Sequence, residues 1–97
     1  MTIEKEWLHS KFKSLVDVIG HLYDRHADDD EEAAKKIDKY LSTNLSWLIF
    51  KKTIRRGDEL WLFRSDVESW RKNFGKEGYC IVRNGEIIVY FLSFGTE

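Results

Sequence analysis

A chain of 97 residues with 42% apolar and 34% charged side chains folds as one globular domain rather than two, and it is not a disordered segment. A domain of this size buries only about two-thirds of the surface its unfolded chain exposes, so the core is modest. The formal net charge of −1 predicts no long-range attraction to nucleic acid or anionic lipid.

Leu8, Phe12, Leu15, Ile19, Leu22 and His26 recur at three-four spacing, which predicts an amphipathic helix over Ile3–His26. The acidic run Asp28–Glu32 then caps a second helix, predicted from about Asp29 to Leu41, because carboxylates accept the free amide protons of a first helical turn. A short link makes the two helices an antiparallel pair. Leu45–Phe50 is apolar without a clear period and reads as a buried helix or a buried strand. Helix is preferred, because the segment runs on into Lys51–Arg56 without alternation.

Arg56-Gly57-Asp58 marks a turn, and Glu59–Arg64 reads as a strand. Ser65-Asp66-Val67-Glu68 matches the capping box, so a short helix is predicted to follow, with Val67, Trp70 and Phe74 on its inner face. Tyr79–Arg83 and Glu86–Phe94 are strands joined by Asn84-Gly85, the dipeptide that most readily supplies two positive φ angles. Ile87–Leu92 is apolar at every position, which places the last strand in the middle of the sheet. The expected fold is therefore α+β: N-terminal helices on a small three-stranded antiparallel sheet, with a split β-α-β and a C-terminal hairpin. Residues 1–97 form a single domain, mainly helical over 1–56, with a strand–helix–hairpin unit over 57–97.

Gly57-Asp58-Glu59-Leu60-Trp61-Leu62-Phe63-Arg64-Ser65, then Ser69-Trp70, then Gly75-Lys76-Glu77-Gly78-Tyr79-Cys80-Ile81-Val82-Arg83-Asn84-Gly85-Glu86 together resemble a pattern of small uncharacterised bacterial proteins. The resemblance covers about the last 40 residues. It implies a recurring structural unit and a bacterial or phage-like origin, and it transfers no catalytic residue.

Candidate chemistry is sparse. His9, His21 and His26 are scattered, and no second histidine lies three or four residues from any of them, so no metal site is expected. His26 continues the apolar stripe and reads as a helix-end histidine facing the negative end of the dipole. His21 follows Asp17 by one turn, which suggests an exposed pair. Cys80, the sole cysteine, excludes an internal disulfide and reads as an apolar filler in a strand. The run Asp28–Glu32 lacks the spaced ligands and glycine of a calcium loop. No cofactor is expected. Lys51, Lys52, Arg55 and Arg56 form the one basic cluster, near Phe50, Ile54 and Trp61, and supply the alternative reading, a nucleic-acid surface.

The 14 aromatic residues are many for so small a core. Trp61 and Trp70 belong to the well-patterned unit and read as core. Trp7 lies off the main stripe of its helix, and Trp47 points away from Leu45 and Ile49 if the segment is helical. Exposed aromatics beside basic residues are typical contact anchors, so Trp7 and Trp47 are the candidate partner-binding residues. The expected function is a non-enzymatic protein-binding module of the inhibitor, immunity-protein or adaptor type, self-association included. With no apolar stretch of membrane-span length and no apolar leader, the expected location is the cytoplasm.

Overall fold

The computed structural model describes residues 2–94. After a 3-10 turn at Lys5–Trp7, the elements run β1 (Leu8–Phe12), α1 (Leu15–His26), α2 (Glu31–Thr43), α3 (Leu45–Thr53), β2 (Glu59–Arg64), α4 (Val67–Arg71), β3 (Glu77–Arg83) and β4 (Glu86–Phe94). The fold is α+β, as expected, but the sheet has four strands, in the order β1-β2-β3-β4, with every neighbouring pair antiparallel.

The predicted helix over Ile3–His26 is in fact a strand followed by a shorter helix. Leu8 and Phe12, four residues apart, fit the two-residue period of a strand as well as the helical stripe, and pairing with β2 decides between them. A register shift between Leu8 and Ser10 turns the strand over. Leu8 therefore packs on one face of the sheet and Phe12 on the other. Ser14 starts α1, its Oγ accepting from the Asp17 amide at 3.4 Å.

Helix α2 begins where the acidic run predicts. The Asp30 carboxylate accepts from the amides of Glu32 at 2.9 Å and Ala33 at 3.4 Å. The link before it turns through Asp28 and Asp29, both at positive φ (46° and 66°), which aspartate tolerates better than most residues. Leu45–Thr53 is a helix, capped by Asn44 Oδ1 on the Trp47 amide at 2.9 Å. Its inner face is the reverse of the one assumed. Trp47 (2% exposed) and Phe50 (0%) point into the sheet, while Leu45 (69%) and Ile49 (50%) face out. The apolar residues Leu45, Trp47, Leu48, Ile49 and Phe50 carry no clear period to orient the helix, and the larger rings take the core.

The split β-α-β is not formed. Ser65 and Lys76 close the β2–β3 excursion: the Ser65 amide donates to the Lys76 carbonyl at 2.9 Å, and the Lys76 amide donates to Ser65 Oγ at 2.8 Å. The chain thus returns beside β2 as an antiparallel neighbour, with α4 held at the end of the sheet. Asp66, not Ser65, caps α4, its Oδ1 taking the Ser69 amide at 2.9 Å. Val67 (68%) and Phe74 (67%) are exposed, so the predicted inner face of this helix exists only at Trp70. That ring stacks on Phe94 at 5.1 Å between centroids, and Gly75 lies so close under it that a Cβ there would overlap the indole. Asn84 and Gly85 turn the hairpin at φ 53° and 79°. The last strand is at the edge of the sheet, and β3 takes the central place assigned to it; all of Glu77–Val82 is buried.

The main core lies between α1–α3 and one face of the sheet, around Val18, Leu22, Trp47, Phe50, Tyr79 and Phe91. A second cluster lies on the opposite face: Phe63, Cys80 and Val82, covered in part by Ile3, Trp7, Trp61 and Tyr90. Among the described residues no helix is long and apolar enough to cross a membrane.

Candidate functional site

The two edges of the sheet are built differently. The β1 edge has five residues, a bulge, and Lys11, whose Nζ lies 3.0 Å from Glu59 Oε2 on β2. Short length, a bulge and a lysine are the usual means of discouraging a further strand. The β4 edge is longer and carries no lysine. It is nine residues long, apolar from Ile87 to Leu92, free of Lys, Arg and Pro, and charged only at Glu86, its first residue. Its pairing with β3 shifts register twice, leaving Ile88 and Ser93 without a partner across the ladder. At about 3.4 Å per residue it offers roughly 30 Å of edge. Helix α3 lies on the inner side of this strand, with the Trp47 and Phe91 rings 5.1 Å apart. The far side of α3 shows Leu45 and Ile49 to solvent, and Ile88 of β4 is 38% exposed.

The two tryptophans proposed as contact anchors lie elsewhere. Trp47 is in the main core, stacked on Phe50 at 5.7 Å, so it is not a surface anchor. Trp7 is half-buried against the second cluster with Ile3. Lys51, Lys52, Arg55 and Arg56 are all exposed, around the end of α3 and the turn after it. Their aromatic neighbours do not form a platform: Phe50 is fully buried, and Lys51 Nζ lies 6.0 Å from the centre of the already covered Trp47 ring. The turn itself is fixed by Asp58. Its carboxylate accepts from Arg83 Nε and Nη2, each at 2.8 Å, and from the Arg55 amide at 2.8 Å. The Arg83 hydrogen bonds, with the Arg55 amide, hold Asp58 down to about 2.

A cluster that the sequence did not suggest centres on Glu77. Its carboxylate is 1% exposed and meets Arg25 Nε at 3.1 Å and Arg64 Nη2 at 2.7 Å. One guanidinium comes from the end of α1 and the other from the end of β2, so the carboxylate ties the helical layer to the sheet. Glu77 sits between Lys76 and Gly78 in what reads as a turn; only its distant partners reveal it as buried.

The remaining titratable groups are spread through the structure. His21 does not pair with Asp17: its Nδ1 lies 2.8 Å from Tyr79 Oη, and its ring is edge-on to Phe12 and Tyr79. Burial, with the Glu77 charge, raises the Tyr79 phenol. His9 is exposed, with Nδ1 2.7 Å from Ser10 Oγ. Cys80 is fully buried, and burial pushes its thiol up to about 12. His26 is half-buried and pushed below the usual histidine range, first by burial and then by the Arg25 charge. Among the described residues, no three of His, Cys, Asp and Glu gather closely enough to hold a metal ion.

Compared with protein families, curated proteins and solved structures, the chain finds no match.

Proposed function

We propose that this protein is a small non-enzymatic binding module, of the inhibitor, immunity-protein or adaptor type, that engages another polypeptide along β4. The observation that carries this reading is the contrast between a five-residue β1 edge bearing Lys11 and a nine-residue β4 edge, apolar from Ile87 to Leu92 and free of Lys, Arg and Pro. An added strand satisfies backbone donors and acceptors along such an edge, while its side chains meet those of the strand beside it.

The occupant proposed first is a second copy of the chain, its β4 antiparallel to the first. A two-fold axis pairs the same strand with itself. Antiparallel pairing sends the two Glu86 carboxylates to opposite ends, roughly 25 Å apart and well beyond the ~8 Å screening length. Parallel pairing sets them side by side. A contact one strand wide is smaller than the ~800 Å² per partner of a standard stable interface, so the association is reversible and concentration-dependent.

Sedimentation velocity over a wide concentration range tests this. The wild-type chain is expected to move from monomer to dimer, and Ile88→Lys, which sets a charge in the open edge, is expected to remain monomeric with nearly unchanged thermal unfolding. A wild-type chain that stays monomeric at millimolar concentration, or a lysine variant that dimerises equally well, overturns the proposal. Nucleic-acid binding through Lys51, Lys52, Arg55 and Arg56 takes second place, because Trp47 and Phe50, the rings on the same helix, are buried.

A further inference from the structure

We propose that the recess between α1, α2 and β4 binds a small neutral molecule with a compact apolar body and one hydroxyl group. The recess holds about 100 Å³. Leu22, Ile37, Leu41 and Phe91 form its walls, with His26 on one side and Tyr40 at the mouth, where that ring is 53% exposed. His26 lines the recess, and its Nε2 is buried and has no hydrogen-bond partner. Buried polar atoms are nearly always paired, so the unpaired nitrogen points to a missing partner.

Water is a poor partner here. An ordered water needs two to four polar neighbours, and most of the lining is hydrocarbon. Ser93, which also lines the recess, donates its hydroxyl to the Glu77 carbonyl at 3.1 Å and can offer a water only an acceptor. A hydroxyl attached to an apolar body meets both requirements. It donates to Nε2 when the imidazole proton is on Nδ1, and accepts when the proton is on Nε2, so it serves either tautomer. Charge also selects the ligand. Burial and the Arg25 and His21 charges favour neutral imidazole, against the opposing pull of Glu77. A charged ligand would lose its hydration against these walls without a counter-ion inside them. For scale, a dry cavity of about 150 Å³ accommodates benzene, so the recess takes a ring of that size only with its outer edge at the Tyr40 mouth.

Phenol is the probe, and benzene is its hydroxyl-free counterpart. Titrations are followed by NMR at the His26 ring and the Leu22 and Leu41 methyls. Saturable phenol binding is expected, with shifts at both places and benzene at least fivefold weaker. Ile37→Phe, which fills the recess, is expected to abolish binding. The wild-type measurement stands alone if that variant does not fold: intermolecular NOEs from phenol to the Leu22 and Leu41 methyls locate the ligand. Failure to saturate, NOEs elsewhere, an unmoved His26 ring, or benzene within fivefold of phenol overturns the proposal.

Discussion

The Glu77 clamp makes an asymmetric prediction. The carboxylate is 1% exposed, but its partners Arg25 and Arg64 are 46% and 42% exposed. Replacing Glu77 by Gln removes the charge while keeping the shape and an acceptor oxygen, and both guanidinium groups can turn to water. That loss is about 1.5–3 kcal/mol, the scale of hydrogen bonds to charged groups. Replacing both arginines by Ala leaves the carboxylate buried and uncompensated, a loss of about 3–5 kcal/mol. In a domain of this length each kcal/mol shifts Tm by about 4–8 °C, so the two variants separate clearly in a thermal scan. Urea unfolding at pH 7 gives the free energies directly. Equal losses in the two variants would refute the view of Glu77 as a buried charge that its two arginines compensate.

Three further outcomes follow from named contacts. Trp47→Ala, which empties a ring site between Phe50 and Phe91, is expected to cost about 3–5 kcal/mol, whereas Leu45→Ala on the outer side of α3 stays within about 0.5 kcal/mol; similar losses in chemical denaturation would mean α3 is oriented otherwise. Asp58 is held down from 3.8 to about 2, so its contribution to stability is present above pH 4 and lost as pH falls through 2. The gap in urea midpoint between wild type and Asp58→Asn should therefore narrow from pH 5 to pH 2, and a constant gap counts against the Arg83 pairing. Cys80 is raised from 9.0 to about 12, so the folded thiol resists a disulfide reagent, and stability is intact below pH 9 but declines as pH rises towards 12. Cys80→Ala should reduce that alkaline slope; rapid labelling of the native protein would show the thiol to be accessible.

Local patterns carried much of the architecture. Glu59–Arg64, the Asn84-Gly85 hairpin and the Asp30-capped α2 rest on interactions within a few residues, and there the sequence alone determines the element. It also determines that Cys80 has no disulfide partner within the chain, whereas for Leu45–Phe50 it leaves helix and strand both open and only favours the helix that the structure shows. The N-terminal segment is different, because Leu8 and Phe12 satisfy two periods at once, and only hydrogen bonding to β2, some 50 residues away, selects the strand; Ser14 and Asp17 held the available hint of a later helix start.

Tertiary structure alone decided which strand is central and what surrounds each polar group. Unbroken apolar sequence in β4 looks like a strand covered on both faces, yet the Ser65–Lys76 closure brings β3 back beside β2 and leaves β4 outside. Glu77 becomes a buried clamp, Trp47 a core ring and His26 the lining of a recess because distant elements converge on them. Short-range hydrogen bonds and turn geometry are encoded where they occur along the chain; burial depends on what arrives from elsewhere, and no local pattern records it.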